Sequence, residues 1–278
     1  MTGTDSPGLD YRRASTARVY NYFLGGKAWS DVDREAALKV IRSAPDAPAV
    51  ARENLRFAGR AAAWAVTTHK IRQVVDIGVG IVDDVPIPSV ETCVLAAVGG
   101  ATVLAFDHDE VVLAHARALR TGYGGVLRGD VTDLDGIFAH PEVADLIVMS
   151  EPMVVVLAAV LHFVPGADAV MAGLRERLAP GSVVVVSHAT STKTEGARIS
   201  GMTKAYQGAS SQIIFRSDEE IRALARGWDI VTPPGLVPVQ HWSVDGSYEG
   251  PSYETVRVVG MAAVLPRRRS CLASGGDR

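Results

Sequence analysis

The feature that most constrains the fold is a series of short apolar runs that show no alternation between apolar and polar residues. Residues 73–77, 153–159 and 182–187 are such runs, and segments with helical spacing separate them. A strand that is apolar on both sides lies in a sheet that is covered on both faces. Strands that alternate with helices form a parallel sheet joined by right-handed crossovers. The sequence therefore predicts an α/β fold.

The predicted elements fill most of the chain between residues 15 and 265. The predicted strands are residues 73–77, 101–106, 125–127, 153–159, 182–187, 228–231 and 255–265. The predicted helices are residues 15–24, 31–43, 49–68, 89–98, 109–120, 167–178, 195–206 and one that begins after Ser217. Residues 142–150 fit a strand or a helix, and we favour a helix because Pro152 separates them from the next apolar run. Residues 1–14 and 266–278 are predicted to be disordered.

Composition excludes several classes of function. The chain has 28 Lys and Arg against 31 Asp and Glu, a net charge of −3, which argues against a general nucleic-acid binder. Its two cysteines, Cys93 and Cys271, form no CxxC pair, and there is no HExxH motif, so no metal site is predicted. The longest apolar run, residues 153–161, is too short to cross a bilayer, and no secretory signal is visible. We expect a soluble cytoplasmic protein without a membrane partner.

The ends of the predicted strands carry the residues that could bind a ligand, since ligands of parallel sheets lie outside the carboxyl ends of the strands. Gly78 and Gly80 follow the first strand, and a residue without a Cβ lets a ligand approach the backbone. Asp107 ends the second strand, where a carboxylate accepts hydrogen bonds from ribose hydroxyls. Asp130 follows the third strand and could accept from an adenine amino group. This pattern predicts a nucleoside-containing cofactor; the alternative is a tight turn with Asp107 as a helix cap.

The residues after the glycine turn favour one such cofactor over another. The dinucleotide fingerprint requires a third glycine at position 83, but the chain has Asp83 followed by Asp84. Two carboxylates would repel a pyrophosphate, whereas they are compatible with the ammonium and sulfonium groups of S-adenosylmethionine (SAM). Charge therefore favours SAM, and a NAD-dependent oxidoreductase is the weaker alternative.

The N-terminal segment of residues 17–27, ARVYNYFLGGK, resembles the RVYDYLLGGK-type opening of an actinobacterial family of SAM-dependent methyltransferases, formerly a domain of unknown function. Further stretches agree with that family over residues 15–242. They are Asp33-Arg34-Glu35-Ala36, Asp76-Ile77-Gly78, the segment of residues 111–117, Val160-Leu161-His162-Phe163-Val164-Pro165, the segment of residues 178–182, Ser187-His188-Ala189-Thr190 and Pro234-Gly235-Leu236-Val237.

The resemblance implies a class I (Rossmann-like) methyltransferase fold with a seven-stranded, mostly parallel sheet whose last strand is antiparallel. It implies an N-terminal helical cap over residues 15–68 and a SAM-binding domain over residues 69–265. The cofactor-binding residues that it implies are Gly78 and Gly80 beside the methionine part, Asp107 with its neighbour His108 at the ribose, Asp130 near the adenine, and Tyr20, Gly26 and Lys27 closing over the cofactor.

Two histidines at adjacent strand ends, His162 and His188, are the candidate catalytic residues. Histidine titrates near neutral pH, so either could act as a general base if the acceptor must lose a proton. The alternative for each is a buried histidine that only makes structural hydrogen bonds. Tyr20, Tyr22 and Trp29 could line the acceptor pocket or pack the cap onto the sheet.

The sequence thus predicts a SAM-dependent methyltransferase that acts on a small molecule, in secondary metabolism, with no nucleic-acid partner and with a homo-oligomeric state as a further expectation. One departure supports an alternative. Where family members continue with GSGLPT, this chain has Gly78 to Pro88 as GVGIVDDVPIP. The alternative is a methyltransferase-fold protein that transfers no methyl group, either a binding or regulatory protein or an enzyme of another reaction type.

Overall fold

The computed structural model describes residues 11–82, 85–119 and 125–267 of the chain. Its strands are β1 (Gln73–Ile77), β2 (Thr102–Asp107), β3 (Val126–Arg128), β4 (Val154–Leu157), β5 (Val183–Ala189), β6 (Asp229–Ile230), β7 (Val237–Pro238) and β8 (Val258–Val264). Its helices are α1 (Thr16–Leu24), α2 (Asp31–Ser43), α3 (Ala47–His69), α4 (Val90–Ala97), α5 (Glu110–Leu119), α6 (Leu134–Phe138), α7 (Pro141–Leu146), α8 (Ala167–Arg177), α9 (Gly196–Ala205) and α10 (Asp218–Leu224). Short 3-10 helices cover Leu161–Phe163 and Val239–His241.

The strands form one sheet in the order β3-β2-β1-β4-β5-β8-β6, with β7 paired to β8. The strands from β1 to β5 pair in parallel, and β8 runs antiparallel to β5. The predicted mostly parallel sheet with an antiparallel last strand is therefore confirmed. The predicted count of seven strands is wrong, because Val237 and Pro238 pair with Gly260 and Val259 as an eighth strand. Two residues are too few to show a strand pattern in a sequence.

Both faces of the sheet are covered, as the apolar runs predicted. Val74 and Val75 in β1 are both fully buried, and they belong to different hydrophobic clusters. Neighbouring strand residues point to opposite faces, so each face of β1 has its own core. The cluster that contains Val74 also contains residues of α3 and α4. Helix α7 confirms a helix rather than a strand within residues 142–150, although it ends at Leu146.

The three N-terminal helices pack together and against α9. Helix α1 ends at Gly25, whose φ of 89° is left-handed and suits glycine. Ser30 and Asp33 form a capping box at the start of α2. Asp33 also accepts a hydrogen bond from Arg18 Nε at 2.7 Å, and both side chains are buried. This pair joins α1 to α2.

The segment before α1 also contacts the folded chain. Ala14, which falls in the predicted disordered lead-in, is buried in the cluster shared by α1, α2, α3 and α9. Its carbonyl accepts a hydrogen bond from the backbone N–H of Ser210 at 2.8 Å. Within the described part of the chain, no helix is long and apolar enough to cross a membrane.

Candidate active site

The turn after β1 is held against the end of β2. The backbone N–H groups of Gly78 and Val79 donate to the Phe106 carbonyl at 2.7 and 3.2 Å. Gly78 has a φ of 77°, and a Cβ there would lie 2.4 Å from Val160 Cγ2. Gly80 has a φ of 63°, but a Cβ there would meet nothing within 4 Å. Packing therefore requires glycine at position 78, whereas Gly80 leaves open space above the turn.

Asp107 connects this turn to the start of α5. Its Oδ2 accepts from the backbone N–H of Gly80 at 3.1 Å, and its Oδ1 accepts from that of Asp109 at 3.0 Å. His108 Nδ1 lies 3.6 Å from Asp107 Oδ1. Burial raises the pKa of Asp107, although the two backbone hydrogen bonds act in the opposite direction. The carboxylate is therefore fixed in orientation before any ligand binds.

Asp130 lies two residues after the end of β3. Its Oδ1 accepts from the backbone N–H and the hydroxyl of Thr132 at 2.8 and 2.7 Å. Partial burial alone would raise the pKa of Asp130, but the hydrogen bonds from Thr132 leave it lower than usual. Asp130 is therefore a fixed carboxylate in the same row of strand ends as Asp107.

A cavity of about 330 Å³ lies between these strand ends and the N-terminal helices. This volume lies at the lower end of the range of small-molecule sites, about 300 to 1,000 Å³. The residues proposed from the sequence that line it are Tyr20, Gly78, Gly80, Asp107, His108, Asp130 and His162. Gly26, Lys27 and His188 are not among its lining residues. Asp83 and Asp84 lie outside the described residues.

Charge is distributed unevenly around the cavity. The ionisable lining residues on this side are His108 and five acids: Asp76, Asp107, Asp109 and Asp130 in or near the ends of strands, and Glu91 in the first turn of α4. Among the described residues, no lysine or arginine lines the cavity. This set of acidic residues fits SAM, because the acids attract its cationic groups and a fixed carboxylate accepts hydrogen bonds from its ribose hydroxyls. It does not fit a pyrophosphate, which requires positive charge or free N–H donors.

Apart from Tyr20, the wall opposite the strand ends was not predicted from the sequence. It combines Phe23 of α1, Asn54 and Leu55 of α3, and Met202 and Tyr206 at the end of α9. Four of the five lie in one hydrophobic cluster. We call this side of the cavity, together with His162 and Phe163, the cap half. The only sequence signal was the spacing of four between Met202 and Tyr206, which places both on one face of a helix.

Tyr20 is fixed within this wall. Its hydroxyl donates to the Ala51 carbonyl at 2.9 Å and accepts from Asn54 Nδ2 at 2.9 Å. Burial raises the pKa of Tyr20, opposed by the hydrogen bond from Asn54. Tyr22 and Trp29, by contrast, do not line the cavity; their rings meet edge to face with centroids 5.2 Å apart.

The Gly26-Lys27 loop connects to the turn after β1 through Asn21, a residue that was not predicted to belong to the site. Asn21 Nδ2 donates to the Ile81 carbonyl at 3.0 Å, and the backbone N–H of Ala28 donates to Asn21 Oδ1 at 2.9 Å. The backbone N–H of Gly26 donates to the Asn21 carbonyl at 3.0 Å. The segment of residues 17–27 thus joins the loop after α1 to the turn after β1.

His162 reaches the cavity in a defined tautomer. The backbone N–H of Ala189 donates to His162 Nδ1 at 3.3 Å, so the proton of the neutral ring is on Nε2. Burial lowers the pKa of His162 well below its usual range, and the nearby His188 and Arg216 lower it further. The ring is therefore neutral near pH 7, with an N–H donor at Nε2.

His188 lies behind His162, with ring centroids 5.5 Å apart. His188 Nδ1–H donates to the Ala189 carbonyl at 2.8 Å, so His188 Nε2 accepts from Arg216 Nη1 at 2.7 Å. Burial lowers the pKa of His188 to about 4, despite the hydrogen bond to Ala189. Both ring nitrogens are thus used within the protein.

The fold, the glycine turn and the row of carboxylates define a class I methyltransferase. A family model described as S-adenosyl methyltransferase matches residues 2–267. The chain therefore belongs to this family, and its cofactor is SAM, as the sequence predicted. No curated protein matches the chain.

Solved structures agree with this assignment. A candidate methyltransferase from Thermobifida fusca is 26% identical, with a TM-score of 0.84 over 96% of this chain and 100% of that one. A DUF574 family protein from Streptomyces avermitilis is also 26% identical, with a TM-score of 0.84 over 93% of this chain and 100% of that one. The plantazolicin methyltransferase BamL in complex with S-adenosylhomocysteine (SAH) shares the fold alone, at 7% identity, with a TM-score of 0.54 over 90% and 96% of the two chains.

Proposed function

We propose that this protein transfers the methyl group of SAM to a small molecule bound in the cap half of the cavity. The observation that supports this most is the division of a single cavity into two chemically different halves. Its strand-end half carries the acids, and its cap half is uncharged among the described lining residues. A cavity of about 330 Å³ that is covered by helices suits a small molecule better than a polymer.

In this proposal the cofactor half is formed by the three loops after β1, β2 and β3. Asp107 accepts hydrogen bonds from the ribose, with His108 beside it, and Asp130 lies near the adenine. Gly78 and Gly80 border the methionine part, where the open space above Gly80 admits a ligand. The bound cofactor supplies an electrophilic methyl group on a sulfonium. With SAM bound, the acids of this half would offset that positive charge, and transfer would break the sulfur–methyl bond as the bond to the acceptor forms, leaving SAH.

The contribution of the protein to the reaction is mainly positioning. Holding an acceptor against an aligned methyl group converts a bimolecular step into a unimolecular one. His162 contacts the acceptor in this proposal, because it lines the cavity. His188 supports His162 from behind, because both of its ring nitrogens make hydrogen bonds within the protein. Tyr20 closes the cap half of the cavity. Gly26 and Lys27 act on the turn after β1 through Asn21. A homo-oligomer, a cytoplasmic location and a role in secondary metabolism stay predictions.

A transfer assay with methyl-labelled SAM tests the proposal. The protein is incubated with a panel of neutral phenols and aromatic amines and, in parallel, with RNA, DNA and peptides. We expect label in the fraction that organic solvent extracts, and a loss of that label in Asp107→Ala. Label in acid-precipitated polymer would contradict a small-molecule acceptor. SAM binding without transfer to any acceptor would favour the alternative of a binding or regulatory protein.

A further inference from the structure

The cap half of the cavity contains a continuous row of aromatic rings. His162 and Phe163 have ring centroids 4.5 Å apart, and Phe163 and Tyr206 have centroids 5.6 Å apart. Both pairs are edge to face, and all three residues line the cavity. A flat ring in the cavity would add one more member to this row, since aromatic rings favour such contacts.

Hydrogen bonds behind the row determine where its polar atoms carry protons. Arg216 has no acceptor atom, so it must donate to His188 Nε2, and this leaves the His188 proton on Nδ1. The backbone N–H of Ala189 then occupies His162 Nδ1, so His162 keeps its proton on Nε2. In the described structure His162 Nε2 has no hydrogen-bond partner of its own. A donor is therefore presented to whatever binds in the cavity.

Arg216 also holds the segment that carries His162 and Phe163. Its guanidinium donates to the carbonyls of Leu161 at 3.0 Å and Val164 at 2.9 Å. The backbone N–H of Ile214 donates to the His162 carbonyl at 2.7 Å. The donor at Nε2 is therefore fixed in place as well as in protonation, which is the requirement for a specific binding contact.

Tyr206 adds a second polar atom at the other end of the row. The residue is 6% exposed, and its hydroxyl makes no hydrogen bond to any residue described by the structure. Burial raises the pKa of Tyr206, so the hydroxyl keeps its proton near pH 7. His162, Phe163 and Tyr206 thus place an aromatic ring between two uncharged hydrogen-bonding groups.

The charges of the cavity restrict the ligand further. The acids line its strand-end half, and no described lysine or arginine lines either half. A carboxylate or phosphate on the acceptor would meet repulsion and no counter-charge, at a considerable desolvation cost. The cap half therefore suits a ligand without a negative charge.

We propose that the acceptor is a neutral aromatic molecule with an oxygen that accepts a hydrogen bond from His162 Nε2, packed against the row of His162, Phe163 and Tyr206. This inference rests on the proposed function only in that it calls this ligand the methyl acceptor. The binding site itself is defined by the geometry of the cap half.

The test compares three probes of nearly the same shape. 2-Acetylnaphthalene has a neutral carbonyl oxygen, 2-isopropenylnaphthalene replaces it with carbon, and 2-naphthoate adds a negative charge. We expect the acetyl probe to bind the protein about tenfold more tightly than the isopropenyl probe, or about 1.4 kcal/mol. We expect 2-naphthoate to bind more weakly than the acetyl probe. Equal affinity of the first two probes, tightest binding of 2-naphthoate, or failure of the acetyl probe to bind at millimolar concentration overturns the inference.

One variant separates the donor from the structural role of His162. His162→Asn retains an oxygen that can accept from Ala189 N–H, but it has no atom at the position of Nε2. We expect this variant to lose the preference for the acetyl probe. His241→Asn makes the same change away from the cavity and should keep the preference. If His162→Asn still prefers the acetyl probe to the isopropenyl probe, the inference is overturned. If that variant does not fold, the comparison of the probes on the unchanged protein still tests the inference.

The probe experiment and the cofactor experiment can fail independently. The probes are titrated into protein without cofactor and again with SAH. Absence of SAH binding with a retained acetyl preference would contradict the proposed function and leave the ligand class standing. SAH binding without that preference would leave the methyltransferase proposal standing and remove the ligand class.

Discussion

The two halves of the cavity differ in how the chain builds them. The strand-end half comes from three loops that each follow directly after a strand, and its polar side chains bond to backbone within a few residues or in the next loop. The cap half is assembled from α1, α3, the 3-10 helix after β4 and the end of α9, which are far apart in sequence. The first half is organised locally, whereas the second depends on tertiary packing.

This difference has a consequence for substitutions. Changes at the strand ends should alter cofactor affinity and leave the cap intact. Changes at residues that hold the cap half in place, such as Arg216 and His188, should alter stability and acceptor binding. They should leave SAH affinity nearly unchanged.

Arg216→Met should have the largest effect, because it removes the donors of His188 Nε2, Leu161 O and Val164 O at once. Each buried acceptor left unpaired costs about 1 to 3 kcal/mol, so we expect a loss of about 4 kcal/mol of unfolding free energy in urea. Arg222→Met is the matched control: among the residues that the structure describes, its only ion pair, to Glu219 at 4.0 Å, is exposed and should be worth less than about 1 kcal/mol. A large loss of SAH affinity in Arg216→Met would contradict the separation.

Acidification should lower the unfolding free energy of the protein through His188. Its pKa is about 4 in the folded protein against an ordinary 6.5, so below pH 6.5 the unfolded chain takes up a proton that the folded chain does not. Stability is therefore lost as the pH falls from 6.5 to 4, by about 3 kcal/mol from this residue alone. The measurement is urea unfolding over that range for the protein and for His188→Asn. A parallel pH dependence of the two proteins would contradict the role of His188.

Asp107→Ala should act on the other half. The variant loses a charged acceptor for the ribose, so we expect SAH to bind more weakly by about 2 kcal/mol, measured by calorimetry. Glu195→Ala is the control and should bind SAH normally, because it removes an exposed carboxylate that forms a surface ion pair with Arg198. The affinity for 2-acetylnaphthalene should stay within about twofold of the unchanged protein. An unchanged SAH affinity in Asp107→Ala would contradict the ribose assignment.

A pair of tyrosines gives the smallest and most discriminating effects. The Tyr20 hydroxyl makes two hydrogen bonds, so Tyr20→Phe should lose about 1 to 2 kcal/mol of unfolding free energy. The Tyr206 hydroxyl makes none within the described chain, so Tyr206→Phe should be neutral or more stable by about 0.5 kcal/mol. Thermal unfolding of both variants is the measurement. A larger loss in Tyr206→Phe would reveal a partner for that hydroxyl.

The same difference explains what the sequence could predict. Gly78 and Asp107 follow apolar runs directly, and Asp130 comes three residues after Leu127, so their positions near strand ends were predictable, and the structure places all three at the cavity. Asn54 lies in α3 and Tyr206 directly follows α9, and only folding brings them to one wall of the cavity. No local pattern marks such residues in a single sequence.

The strand count and His188 show the same limit in other parts of the fold. Strand β7 has two residues, and its pairing with β8 arises from the path of the chain rather than from any apolar run. His188 was a candidate base because it follows the predicted strand of residues 182–187, but the structure extends β5 to Ala189, so His188 lies within the strand. Its direction could not be predicted, since that depends on Arg216, which comes from the segment before α10.

Calorimetric titration of SAH into the purified protein tests the central claim most directly. If the strand-end half is a cofactor site, SAH should bind one site per chain with a micromolar dissociation constant, and Asp107→Ala should weaken that binding. No detectable heat with SAH or SAM at millimolar concentration would contradict the assignment of this half to the cofactor.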